Sequence, residues 1–217
     1  ACRSIVDRYA EAWRGTIERL GRWVDFDDHY RTMDPDFMES VWWVFKTMFD
    51  KGLVYRGEYM VNWSPSLGTA VSDLEVDYVE EEGSLYTFKY VLAGGDSATD
   101  YIPVATTRPE TIPGDECVCV HPDDPRYASW IGKRVVVPMS GGRTIPVIAD
   151  DYVEMDLGTG ALKVTPAHDV NDYAIGQRHG LPLLNILNKD ATMNEAAGKY
   201  AGLDRYECRK QLWADME

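Results

Sequence analysis

The sequence predicts an α+β fold, with a β-rich, barrel-like domain flanked by helices. Three observations carry this. The first 57 residues have helical character. From about Tyr59 the texture changes to short runs rich in β-branched and aromatic residues, bounded by Gly, Pro and Asp. Only one clear helix, after Asp169, interrupts those runs, which argues for a barrel-like or mixed sheet over a doubly wound parallel one. With 217 residues, 45% of them hydrophobic, the chain can bury a sizeable core.

In chain order, "MDPDFMESVWWVFKTMFDKG" reads as a helix with Asp34 as N-cap and Pro35 at its first position. Met38, Val41, Trp42, Phe45, Met48 and Phe49 fall on one face, which predicts packing on a core, and Gly52 supplies the stop. "VNWSPSLGTAVSDLEVDY" (61–78) reads as a turn between two strands, and "VEEE" before Gly83 as a solvated edge. "LYTFKYVL", "DYIPVATT", "RVVVPM", "TIPVIAD" and "ALKVT" read as strands. Pro166 and Ala167 break the last of these. Asp169 then fits a helix N-cap, with Asp172 three residues on in the place of the acidic partner of a capping box. His179, Gly180 and Pro182 end that helix. The amphipathic stretch "RYECRKQLWADME" closes the chain, and there is no internal repeat or low-complexity linker.

A net charge of −14 argues against a broad nucleic-acid-binding surface, but not against a grip on the end of a nucleic acid. No run of about 18 apolar residues is present, so no membrane span is expected. The opening "ACRSIVDRYAEAW" is neither a signal peptide nor a start methionine and reads as that of a fragment or excised domain. Of the four cysteines, only Cys117 and Cys119 are close. A lone C-x-C in an apolar run lacks the spacing of a zinc site, so no metal is expected, and free thiols suit a reducing, intracellular compartment.

Two stretches concentrate polar groups. "KVTPAHDVNDYAIGQRHGLP" places Lys163, His168, Asp169 and Asp172 around a strand-to-helix turn. They read as a well-capped helix, or as a receptor in which N–H groups at the helix start depress a carboxylate's pKa and keep it ionised for an ammonium group, with Lys163 facing an anion. A metal reading is poorer, because His-x-x-x-Asp has no further ligands at the right spacing. "ATTRPETIPG" offers Thr106, Thr107 and Thr111 hydroxyls, the Arg108 cation and a stiff turn at Pro109. It is either a β-to-loop turn or a polar cradle for a small ligand with hydroxyl, amino and carbonyl groups.

"VNWSPSLGTAVSDLEVDY", "ATTRPET" and "GTGALKVTPAHDVNDY", in this order, resemble the connective-peptide editing domain of class I aminoacyl-tRNA synthetases for branched aliphatic amino acids. "SDLEVDY" and "DATMNEAAGKYAGLDRYECRK" are most similar to the valyl member, whereas residues 20–57 resemble the isoleucyl enzyme just before the insertion. The resemblance implies a helical segment of the catalytic body at 1–57 and an editing domain, an aminoacyl-tRNA deacylase, at 58–217. It implies that Asp172 binds the α-ammonium of a misattached residue and that Asp169 shapes the side-chain pocket or orients water. Lys163, Thr107, Arg108 and Thr111 would position the terminal adenosine, the phosphate or the ester, with Thr106 and His168 as further substrate-binding residues and Lys163 counted with Asp169 and Asp172 as catalytic. Ser64 and Leu67 stand where many relatives carry Cys-x-x-Cys, so no zinc is expected there. HIGH-type and KMSKS-type signatures are lacking, so this piece is not expected to activate an amino acid. The implied partners are a mischarged tRNA 3′ end and the rest of a synthetase. The domain itself would need no cofactor, with ATP and Mg belonging to the full-length enzyme, in the cytoplasm or an organelle.

Overall fold

The computed structural model describes residues 2–216. It divides between Glu58 and Tyr59 into two compact units.

The first unit holds α1 (Cys2–Arg19) and α2 (Pro35–Asp50). α2 starts at Pro35 behind an extended Asp34, whose carbonyl accepts from Met38 N at 3.0 Å; the Asp34 side chain makes no capping bond. Gly52, at φ +72°, takes the left-handed conformation that ends the helix. The expected packing of α2 on a core is not found: no residue of either helix is buried, and Trp42 and Phe45 are 74% and 54% exposed. Two helices and an irregular connection have too little surface to enclose so wide an apolar stripe.

The second unit is α+β. β1 (Asn62–Ser64) and β2 (Thr69–Val71) form a short hairpin. β3 (Tyr86–Val91) pairs antiparallel with β4 (Tyr101–Thr106), with Phe88 opposite Val104. A four-stranded mixed sheet has the order β6-β7-β5-β8. In it β5 (Cys117–Val120) runs parallel to β7 (Thr144–Ala149) and antiparallel to β8 (Ala161–Val164), and β6 (Arg134–Val136) pairs antiparallel with β7. A single bridge, Leu92 to Val135, links the β3–β4 hairpin to β6. β4 lies alongside β8, but among the described residues no ladder joins them, so the strands surround the core without closing a barrel. α3 (Val170–His179) and α4 (Arg205–Ala214) complete the unit.

The alternation of β3 and β4 sends Phe88, Tyr90, Ile102 and Val104 inward. β5 is buried on both faces, and this explains its cysteines. Val118 and Val120 join the main core, while Cys117 and Cys119 pack with Val164 and with Ile175 of α3 on the other side. Burial pushes the Cys119 thiol up to about 12 and the Cys117 thiol higher still, so both act as small apolar groups. α4 contributes Cys208 and Leu212 to the main core, and Trp213 meets Tyr86 and Phe88 edge-on at 5.0 and 5.7 Å. Each such aliphatic side chain contributes roughly 1.5–3 kcal/mol by leaving water.

Candidate functional site

A cavity of about 550 Å³ opens where β4 and β8 come together. One side is the end of β4 and the turn after it, with Thr106, Thr107, Arg108 and Thr111. The floor is β8, with Lys163 and then Thr165. The start of α3 adds His168, Asp169 and Asp172, so all eight residues singled out in the sequence line one cavity.

α3 starts here because Asp169 is extended and its Oδ1 accepts from Asn171 N (2.8 Å) and Asp172 N (3.1 Å). Asp172 does not return the bond, so the expected capping box is absent. Its Oδ2 instead accepts from Thr165 N at 2.8 Å. That buried donor needs an acceptor, and an aspartate is one methylene shorter than the glutamate that reaches back in a true capping box. Such a box does form at Ser72–Glu75. At Gly176 α3 runs so close to the preceding turn that an added Cβ would lie 2.9 Å from Pro166 Cβ. Its last turn is tied to Asp150 by Arg178 (2.8 and 3.0 Å) and His179 (2.8 Å).

The electrostatics correct a second expectation. Asp172 is 8% exposed, and burial pushes its carboxyl up from 3.8 to about 6, against the pull of the Thr165 N–H and of Lys163. The helix-start N–H groups expected to depress it are taken by Asp169. Asp172 is still mainly ionised at neutral pH, and a ligand cation would stabilise it further.

Lys163 was expected to face an anion, and that anion is internal. Its Nζ donates to Thr111 Oγ1 (2.7 Å), Thr165 Oγ1 (2.6 Å) and Asp115 Oδ1 (3.0 Å), which accounts for all three N–H groups. Asp115 is fully buried and also accepts from Thr165 Oγ1 (2.7 Å) and from the Tyr90 hydroxyl.

Arg108 shapes the turn and keeps a partly exposed guanidinium. Its N–H donates to Thr106 Oγ1 (3.0 Å), and its carbonyl accepts from Thr111 Oγ1 (2.9 Å). Its Nη1 donates to the His168 carbonyl at 2.7 Å, and its Nε lies 3.6 Å from Glu110 Oε1. Thr107 is exposed. His168 Nε2 accepts from Ile186 N at 3.0 Å, so its proton sits on Nδ1; burial, and then the Arg108 charge, press its pKa down to about 4. It is a neutral hydrogen-bond donor at pH 7.

Sequence reasoning missed the fourth wall, where Tyr152, Glu154 and Leu157 line the cavity. This segment is braced from outside. Arg126 grips Asp124 and donates from Nη2 to Met155 O at 2.6 Å, while the Tyr127 hydroxyl donates to Thr159 O at 2.8 Å. The signal was the "GTG" before β8, because Gly158 and Gly160 take φ of +60° and +73°. Asp115 and Thr165 were missed as well. Among the described residues no three His, Cys, Asp or Glu side chains are grouped to hold a metal ion. Chemically, the cavity offers the Asp172 carboxylate near its floor, the Asp169 and Glu154 carboxylates elsewhere in its lining, hydroxyls along a side and the Arg108 cation at the edge. That suits a ligand bearing an ammonium and hydroxyl groups.

Comparison with known proteins bears on what such a cavity serves. A valine–tRNA ligase of Arabidopsis thaliana (chloroplastic/mitochondrial 2) is 50% identical over 97% of this chain and 21% of its own length. That of Halalkalibacterium halodurans is also 50% identical, over 97% of this chain and 24% of its own. The chain thus spans about a fifth to a quarter of the relatives it matches. Among solved structures, the ternary complex of Agrobacterium radiobacter K84 agnB2 LeuRS with tRNA and LeuAMS aligns at a TM-score of 0.47 and 19% identity, covering 85% of this chain and 31% of that one. The family model for class I tRNA synthetases (I, L, M and V) matches residues 1–217, and the chain belongs to that family.

Proposed function

We propose that residues 58–217 are the post-transfer editing domain of a valyl-tRNA synthetase, which hydrolyses threonine misattached to valine tRNA, and that residues 1–57 belong to the catalytic body. The observation that carries this reading is the Asp172 carboxylate, buried at the start of α3 in a cavity lined by threonine hydroxyls and Arg108. The relatives named valine–tRNA ligase support the valyl assignment, because they align over 97% of the chain, the isoleucyl-like N-terminal stretch included. Amino-acid activation with ATP and Mg would be the work of the longer enzyme, whose remainder would also cover the apolar stripe of α2.

In this reading Asp172 binds the α-ammonium of the misattached residue. Asp169 uses Oδ1 for the helix cap, leaving Oδ2 for the hydrolytic water or a side-chain hydroxyl. Arg108, Thr107 and the Nδ1–H of His168 hold the terminal ribose, the phosphate or the ester oxygen. Lys163 and Thr111 form the rigid floor beneath them. An ester is already activated, so placing water against it can suffice without a nucleophilic Ser or Cys. Valine would leave polar groups of the cradle unpaired where threonine's hydroxyl satisfies them, and such sites reject an analogue lacking the group more strongly than apolar pockets reject an extra one. The test is deacylation of threonyl-tRNA(Val), with valyl-tRNA(Val) and valyl-tRNA(Ile) as comparisons. Asp172→Asn should slow the first reaction at least about tenfold. Preference for valyl-tRNA(Ile) would make this an isoleucyl editing domain. Intact binding of the tRNA end with no hydrolysis would make it a silent binding fragment.

A further inference from the structure

The cavity floor contains a cation, Lys163, in the neighbourhood of the carboxylate proposed to bind another cation. An uncompensated ammonium there would satisfy Asp172 and repel the incoming ligand. The structure shows what prevents this. Asp115 is fully buried, and three donors converge on it: Lys163 Nζ and Thr165 Oγ1 on Oδ1, and the Tyr90 hydroxyl on Oδ2. Burial pushes the Asp115 carboxyl up, and the Lys163 charge with these three hydrogen bonds pulls it back down; none of its oxygens is called on to donate, and the lysine contact favours the carboxylate. Thr165 is the shared node. Its hydroxyl accepts from Lys163 and donates to Asp115, while its backbone N–H holds Asp172 Oδ2.

We propose that Asp115 is the positioning residue of this cavity: by occupying the Lys163 ammonium and fixing Thr165, it leaves the Asp172 carboxylate oriented and electrostatically available to a ligand ammonium. The proposal rests on the ammonium-binding reading of Asp172. The charges make it specific. Lys163 and Asp115 cancel as a buried pair, so Asp172 supplies the unbalanced negative charge of the floor, while Asp169 and Glu154 line the cavity around it. Neutralising Asp115 leaves Lys163 to offset Asp172, which weakens the floor's attraction for a cation and leaves the contribution of Asp169 and Glu154 unchanged. At close range and an intermediate effective dielectric, one such charge changes cation affinity by about tenfold or more.

The experiment uses the 217-residue chain and two non-hydrolysable probes, an amide-linked threonyl-adenosine and the same molecule lacking the α-amino group, in calorimetric titrations. Wild type should favour the amino probe, and Asp172→Asn should abolish that preference. Asp115→Asn should cut the preference by about tenfold while changing affinity for the deaminated probe far less. Adding Lys163→Met to Asp115→Asn removes the stranded cation and should restore the preference to within about threefold of wild type, since a buried ion pair can be replaced as a pair. A full preference in Asp115→Asn overturns the proposal. So does a parallel loss for both probes, the mark of structural damage, or a double variant that fails to recover. If Asp115→Asn does not fold, the double variant decides alone: retained preference supports the proposal and lost preference overturns it. If wild type does not distinguish the probes, the ammonium reading itself fails and the proposal falls with it. A wild type that distinguishes them beside an indifferent Asp115→Asn sinks only the inference about Asp115.

Discussion

Replacing Asp172 by Asn should change how stability depends on pH more than it changes stability at pH 7.5. In the native state burial raises the Asp172 carboxyl from 3.8 to about 6, so its contribution to stability is present below pH 3.8 and is lost as pH rises through 6. The rise corresponds to about 3 kcal/mol. His168 acts in the opposite sense in nearly the same window. Burial lowers it from 6.5 to about 4, so its contribution is present above pH 6.5 and is lost as pH falls through 4, by roughly 3 kcal/mol or less because the ring is partly exposed. In wild type the two slopes largely cancel between pH 4 and 6. Asparagine keeps an acceptor for the Thr165 N–H but cannot titrate, so the variant retains only the His168 slope. Wild type and variant should therefore diverge by about 3 kcal/mol between pH 7 and pH 4, with the variant losing on acidification. At pH 7.5 the variant is relieved of a buried charge and gains an amide N–H to satisfy. These are opposing effects of about 1–3 kcal/mol, which leave its stability near that of wild type. Urea titrations at a series of pH values, read by amide exchange in β5 and β8, measure the difference. Curves that stay parallel from pH 4 to 7.5 would show that Asp172 does not titrate as a buried acid, and the reasoning would fail.

Three further outcomes follow from the geometry. Arg108→Ala should raise KM for a mischarged tRNA about tenfold while leaving kcat within about threefold, because its guanidinium sits at the cavity edge and grips the His168 carbonyl; a collapse of kcat at unchanged KM would place it at the reacting bond. Gly160→Ala should destabilise by about 1–3 kcal/mol, since at φ +73° its Cβ would lie 2.8 Å from Met155 O and 2.2 Å from Arg126 Nη2. Thermal melts should show a drop of about 2–4 °C per kcal/mol, and an unchanged Tm would contradict the close approach. Arg209→Ala leaves Glu110, which is 2% exposed and held by two 2.9 Å bonds from that arginine, with only the longer 3.6 Å contact to Arg108, so α4 should exchange its amides faster than β5 does; uniform exchange would show that α4 docks without the pair.

The strands with one buried face were legible because side-chain alternation is a period-two signal, and β3, β4 and β7 fall within a residue of the runs that announce them; β5, buried on both faces, carries no alternation and was not picked out. The eight residues that line the cavity were legible as a set of candidates, because a cap, a strand end and a Thr-rich turn are local features. What the sequence withheld was the pairing of charges across distance. Lys163 meets Asp115 across 48 positions, and a lysine's own neighbours say nothing of which carboxylate will fill its shell. The pKa of Asp172 was misread for the same reason: the local helix start was visible, but the burial that outweighs it is tertiary. The α2 stripe failed in the other direction, because an amphipathic pattern states that a face needs covering and not what covers it.

The open seam of the sheet and the position of the cavity are one feature. β8 is an edge strand of the four-stranded sheet and β4 an edge of the hairpin beside it, and the end of β4 and the start and middle of β8 both line the cavity. A ladder between these edges would draw their backbones to about 4.8 Å, the spacing of paired strands, and fill the space with main chain. Left unpaired, the seam leaves room for a ligand, and it places the polar residues Thr106 and Lys163 beside a helix start. The polar floor then needs internal compensation, which Asp115 supplies from the core side, held there by Tyr90 and by Thr165 of the floor. The unpaired seam, the buried Lys163–Asp115 pair and the raised Asp172 carboxyl are therefore features of a single arrangement, in which two strand edges stay unpaired where the cavity lies.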